Sequence, residues 1–208
     1  MLIWTRNNLL LIALALLLVR CGTSEVEMPA IPYDRFRAGD VAFRLGRTLE
    51  SDVIASVAGD DFRFSHVGVV VGRGDSLIVV HVEPECEGEE RIKAEPLEEF
   101  FHPSRAVKGV VARCEQLSGE QRQTIEREAL RLLQLKIRFD HDYSLQDSTA
   151  MYCTELVDFL FQKVGMTLTH RRYDVPLVRE GVILPHSMLQ DGDLQRVWGY
   201  DLRSARHN

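Results

Sequence analysis

Cys153 stands at the head of an apolar stretch, STAMYCTELVDFLFQKVG (Ser148 to Gly165), in a chain with four cysteines. A cysteine that only packs belongs on the buried stripe of a helix. One at the first turn meets free backbone N–H groups and the positive end of the helix dipole, which stabilise a thiolate. A cysteine hydrolase needs that thiolate, a base to take and return its proton, and a polar group to orient the base. Histidine suits the base, because imidazole titrates near neutrality without large perturbation. Of seven histidines, His66 opens the run SHVGVVVG and His81 lies in the run SLIVVHVE. Glu83 sits two residues after His81 and shares its face of a strand, so either residue can orient the His66 ring.

These residues need elements to bring them together. The two valine-rich runs flank RGD and read as a β-hairpin, whose arms place side chains next to one another on one face. Gly68, just after His66, lets another element approach the backbone closely. Upstream, RAGDVAFRLG gives a turn and a short strand near Val41 to Arg44. TLESDVIASVAG has helical spacing, with Val53, Ile54 and Val57 on one side and Gly59 as a stop. Downstream, EPLEEFF reads as a short helix opening at Pro96, and AVKGVVARC as a strand from Ala106 to Cys114. SGEQRQTIEREALRLLQLK is the clearest helix. Ser118 and Gln121 have capping-box spacing, and Ile125, Ala129, Leu132 and Leu133 form its apolar stripe. The segment IRFDHDYSLQDSTA is polar and irregular. A helix then begins around Tyr152, turns Leu156, Val157, Leu160 and Val164 inward and stops at Gly165. The tail, with two prolines, offers one or two short strands. The whole predicts an α+β fold, a small, mostly antiparallel sheet packed against helices.

The order SHVGVVVG, VVHVEP and, much later, YCTELV resembles the circularly permuted papain-like hydrolases of the NlpC superfamily, in particular the YaeF/YiiX-type amidases. GDVAFR and FDHDYSLQDSTAMYCTELV extend the resemblance from about Gly39 to Val164. It implies a permuted papain-like fold over residues 33–208, with Cys153 as nucleophile, His66 as general base and acid, and His81 in the third position. Glu83 remains the alternative orienting group. Tyr152 matches the tyrosine before the nucleophile, and is read as a pocket wall, an oxyanion donor through its hydroxyl, or a packing residue.

The mechanism this implies begins with His66 taking the Cys153 proton. The thiolate attacks a carbonyl, with the Cys153 N–H as oxyanion donor, and His66 protonates the leaving group. Water completes an amidase or peptidase cycle; an amine or alcohol completes an acyl transfer. A lipid-processing acyltransferase predicts a large apolar groove beside Cys153, whereas a hydrolase of cell-wall peptide stems predicts a polar cleft with charge partners. A non-catalytic envelope binding protein is the third class. No cofactor and no metal is expected: the cysteine spacings contain no CxxC, and no histidines pair at helical spacing. Asp140, Asp142 and Tyr143 are candidates for the cleft rim, with FDHDY otherwise a solvated loop. ECEGEE is read as a solvated acidic loop, and Glu155 as a structural cap near the helix start.

The N-terminus bounds the compartment. Arg6 precedes an unbroken apolar run from Leu9 to Val19, short of the roughly 20 residues that cross a bilayer but suited to a secretory signal. Residues 1–20 are therefore read as a signal peptide and 21–32 as a tether. Cys21 resembles the lipidated cysteine of a bacterial lipoprotein. Arg20 stands where that pattern has a small residue, so an uncleaved anchor is the alternative. The expectation is a membrane-anchored protein of the cell envelope. An exported chain can oxidise one cysteine pair, and Cys86 with Cys114 is the candidate that leaves Cys153 free. Losing residues 1–20, with two arginines and no acid, takes the formal charge from −6 to −8, a poor match for nucleic acid.

Overall fold

The β-branched runs form the middle of a six-stranded antiparallel sheet, and their burial on both faces explains why the valines run without polar alternation. The structure, a computed structural model, describes residues 28–56, 58, 62–84, 90–143, 149–174 and 181–203. Its strands are β1 (Val41–Gly46), β2 (His66–Val71), β3 (Ile78–His81), β4 (Lys93–Pro96), β5 (Ala106–Cys114) and β8 (Leu194–Asp201), in the order β4-β3-β2-β1-β5-β8. Two short strands, β6 (Arg138–Phe139) and β7 (Ala150–Met151), pair in parallel beside it. The helices are α1 (Leu49–Ala55), α2 (Leu97–Phe100), α3 (Gly119–Leu135), α4 (Cys153–Gln162) and α5 (Pro185–Asp191).

One face of the sheet packs Val67, Val69 and Val80 against Ile125 and Ala129 of α3 and Leu156 and Leu160 of α4. The other buries Val70 and Val79 under Leu97, Phe100 and Phe101, with Tyr200 donating a 2.8 Å hydrogen bond to the Phe101 carbonyl. Met28 and Ile31, in the segment read as a tether, lie against this second cluster.

The α+β architecture and the antiparallel hairpin match the sequence reading, with Val69 opposite Val80. The α3 capping box forms in both directions, Gln121 N–H to Ser118 Oγ at 3.2 Å and Ser118 N–H to Gln121 Oε1 at 2.9 Å. At the end of α4, Gly165 takes a positive φ of 73° and the Met166 N–H reaches back to the Phe161 carbonyl. Helix α1 departs from the expectation. Val53 is 70% exposed, not on a buried side, while Ala55 is buried and Ile54 half-buried. Seven residues capped by Thr48 (Ser51 N–H to Thr48 Oγ1, 3.1 Å) make two turns, too few to define the buried stripe. Val57 and Gly59 lie outside the described residues, as does the stretch from Glu85 to Glu89.

Strands β4, β6 and β7 and helix α5 escaped the sequence reading. Strand β4 is an edge strand of alternating charge, and α5 opens with Pro185 at its first turn, a position where the missing N–H of proline has no partner to lose. The tail therefore contributes a helix as well as strand β8. Among the described residues, no helix is long and apolar enough to cross a membrane.

Candidate active site

Strand β2 carries His66 at its first position, opposite Arg44 of β1. Two residues on, a Cβ on Gly68 would stand 2.9 Å from His81 Cβ and 2.6 Å from a Val79 methyl. The missing side chain is what allows β3 to bring His81 alongside His66. The two rings meet edge to face, with His66 Nε2 and His81 Nδ1 2.8 Å apart. The Phe100 ring closes over both, at centroid distances of 5.8 and 5.2 Å.

Behind the imidazoles lies a charged lattice. Glu83 pairs with Arg44, with Arg105 and with Lys93 (2.8 Å), while Glu95 of β4 pairs with Arg105 (2.8 Å) and Lys93 (3.2 Å). Arg44 also donates to the Phe100 carbonyl at 3.1 Å and stacks on that ring. Glu83 stands 3.8 Å from His66 Nε2, beyond hydrogen-bond range, and Glu95 Oε2 stands 3.1 Å from His81 Nε2. Of the two orienting candidates, His81 makes the hydrogen bond to His66 and Glu83 anchors the cations. Burial works against ionisation of both carboxylates. The imidazoles and basic side chains outweigh it and hold Glu83 and Glu95 below the usual carboxylate range.

Cys153 is the first residue of α4, half-buried, and lines the same cavity of about 520 Å³ as His66. Tyr152 caps the helix, its main-chain N–H donating to Glu155 Oε2 at 3.3 Å, so Glu155 is the structural cap. The Tyr152 hydroxyl accepts from the Ile183 N–H at 3.2 Å, and Thr154 Oγ1 donates to the Ile183 carbonyl at 2.7 Å. These bonds hook the Val182–Pro185 segment onto the mouth of α4, where it forms one wall. Tyr152 thus lines the cavity and fixes its wall. Phe139, His141 and Tyr143 form another side, with His141 paired to Glu90. The FDHDY segment accordingly reaches into the cleft rather than forming a wholly solvated loop, and Asp140 is buried beneath it.

The electrostatics correct one expectation. The helix entrance was expected to favour a thiolate at rest, yet burial pushes the Cys153 thiol up to about 11, against the pull of the Val67 and Thr154 main-chain N–H groups. Burial, reinforced by the Arg44 charge, also drives the His66 pKa well below its ordinary value, and burial lowers that of His81. The resting site is a neutral thiol and a neutral imidazole. Desolvation of both groups outweighs what one helix end contributes.

Sequence reasoning missed Glu95, Arg44, Arg105 and the Ile183 wall. The alternation in RIKAEP was the available signal for β4; nothing local marks a residue that acts from the neighbouring edge strand. Cys21 and Cys86 lie outside the described residues, and Cys114 is a free thiol buried in the core.

A family model described as permuted papain-like amidase enzyme, YaeF/YiiX, C92 family, matches residues 35–198. Among solved structures, the metalloprotein yiiX from Escherichia coli O157:H7 superposes with a TM-score of 0.65 at 24% identity, covering 80% of this chain and 99% of that one. Among curated proteins nothing matches. With the family model spanning most of the sequence and the same fold in yiiX, the chain belongs to the permuted papain-like amidases of the YaeF/YiiX type.

Proposed function

We propose that the protein is a cysteine-dependent amidase that works through a thioacyl-enzyme, with Cys153 as nucleophile, His66 as base and His81 as its orienting partner. The observation that carries this is the meeting of Cys153, at a helix entrance, and His66 on one cavity, with His81 buried behind His66 and hydrogen-bonded to it. His66 removes the thiol proton as the sulfur attacks the amide carbonyl. The proton passes to the departing amine, and water then releases the acid. The Cys153 main-chain N–H, which has no intrahelical partner in the first turn of α4, serves as the oxyanion donor.

The cavity also bears on the substrate. Its walls are largely apolar, including Phe139, Tyr152, Val182, Ile183 and Leu184, with Ile54 of α1 at the rim. This favours an acyl group of hydrocarbon character over a charged peptide stem, and admits acyl transfer where an amine or alcohol replaces water. Envelope anchoring through the Leu9–Val19 run and Cys21 remains part of the proposal, and would present that cavity near lipid. The test is kcat/KM over N-acyl amides of rising chain length. Each buried methylene is worth about 0.8 kcal/mol, so the ratio rises roughly fourfold per carbon until the cavity fills. A flat series beside efficient cleavage of charged peptide amides would contradict the apolar reading.

The yiiX relative is described as a metalloprotein. Here His66, His81 and Glu83 bring ligand atoms within 4.8 Å of one another. They do not fit a divalent cation. The Glu83 carboxylate already answers three basic side chains, and the two imidazole nitrogens stand at hydrogen-bond distance. Two neighbours around one tetrahedral ion, with bonds of about 2.0 Å, would be forced farther apart.

A further inference from the structure

The His66–His81 pair does not end at His81. Its Nε2 is fully buried with no hydrogen-bond partner among the described residues, and 3.1 Å away Glu95 Oε2 is also buried and, among those residues, equally without one. The two atoms are close enough for a charge contact, though short of hydrogen-bond alignment. Glu95 Oε1 is held by Arg105 at 2.8 Å and Lys93 at 3.2 Å, so the carboxylate cannot rotate to exchange its oxygens without giving up both. We propose that Glu95 is a positioning residue that sets the tautomers of His81 and His66 in series, leaving Nδ1 of His66 as the basic nitrogen. This rests on the amidase reading above and names a further member of its machinery.

The logic is one of donors and acceptors. An ionised carboxylate only accepts, so His81 Nε2 carries the hydrogen beside Glu95. A neutral imidazole has one N–H, which leaves His81 Nδ1 bare. His66 Nε2 must then be the donor across the 2.8 Å contact, and its Nδ1 is free to take a proton. When that nitrogen takes the Cys153 proton, the imidazolium is stabilised through the His81 hydrogen bond and the Glu95 charge contact without any proton moving to Glu95. Glu83 cannot replace Glu95 here, because it lies 3.8 Å from His66 Nε2, the nitrogen already engaged by His81. Arg44, Arg105 and Lys93 balance the two carboxylates.

The discriminating variant is Glu95→Gln. Arg105 and Lys93 retain the amide oxygen at the Oε1 position, which turns the NH₂ toward His81 Nε2. That nitrogen must now accept, His81 Nδ1 becomes the donor, and His66 Nε2 becomes the acceptor. The hydrogen moves to His66 Nδ1, the wrong nitrogen. The readout is the ¹⁵N imidazole spectrum of histidine-labelled full-length Cys153→Ala protein in detergent, with His66 and His81 assigned by single substitution. We expect His66 Nδ1 bare and Nε2 protonated in this background, and the reverse once Glu95→Gln is added. A protonated His66 Nδ1 with Glu95 present overturns the proposal without reference to any variant, as does an unchanged pattern after the substitution. Amide turnover separates the two levels of argument. Glu95→Gln should lower kcat by roughly 10²–10⁴-fold, the range that general acid–base catalysis contributes. Full turnover in Glu95→Gln beside loss in His66→Ala overturns the role of Glu95 and leaves the amidase reading standing. Full turnover in both variants removes the amidase reading, and the spectrum alone then decides the tautomers.

Discussion

At the scale of single residues, the site is defined by two groups that the protein keeps uncharged. A thiol pushed up to about 11 and an imidazole held well below its usual range do not form a resting ion pair. In the proposed mechanism the proton then moves as the sulfur attacks, with His66 acting as a general base in the transition state rather than as the partner of a preformed thiolate. The consequence for pH is a plateau. His66 stays in its basic form well below pH 6.5, and Cys153 stays protonated far into the alkaline range. We therefore expect kcat/KM to be flat from about pH 6.5 to 9, with no inflection at the ordinary histidine value. A bell-shaped profile with its acid limb near 6.5 would show that His66 titrates normally and that burial does not govern the site.

At the scale of elements, the geometry depends on how closely β2 and β3 approach. Gly68 is the residue that permits it, since an added Cβ would press on a Val79 methyl, His81 Cβ and the Val80 carbonyl, all within 3 Å. Gly68→Ala should destabilise the fold by about 1–3 kcal/mol and move His81 off His66. Its kcat should therefore fall further than at a site of pure packing. Equilibrium denaturation and steady-state kinetics on the same protein check both parts, and wild-type kcat in the folded variant would contradict the claim. The closeness at Gly68, the α3 capping box and the hairpin were all legible in sequence, because each is encoded by a short pattern of residue type and spacing. That Cys153, His66 and Tyr152 would meet at one cavity with His81 behind His66 was legible for the same reason and because their order resembles one family. Glu95 was not: RIKAEP gives an edge strand too short for its alternation to stand out, and its partner His81 is fourteen residues earlier. Helix α5 was hidden behind a segment rich in turn formers. The neutral state of Cys153 was not legible either, since a sequence shows the helix entrance and not the walls that desolvate it.

At the scale of the whole molecule, the same buried groups set how the fold responds to acid. His66 and His81 have folded pKa values below those of the unfolded chain, so the unfolded state binds more protons as pH drops through 6.5. Their contribution is fully present above that pH and is lost below it. Glu83 and Glu95, also depressed, add a second loss as pH falls below about 4.5 toward their folded values. Thermal unfolding between pH 8 and 4 should thus show Tm steady down to about 6.5, then falling, and falling more steeply below 4.5. A Tm that rises on acidification through 6.5 would contradict the assigned directions.

The central claim, that Cys153 carries the acyl group, is tested most directly by mass. The full-length protein in detergent is mixed with the p-nitrophenyl ester of a medium-chain fatty acid and quenched in acid within the first turnover. Peptide mapping then locates any adduct. The account predicts one added acyl mass on the peptide holding Cys153, formed much more slowly in His66→Ala and absent in Cys153→Ala. Acyl transfer to another residue, or undiminished turnover in Cys153→Ala, would contradict it.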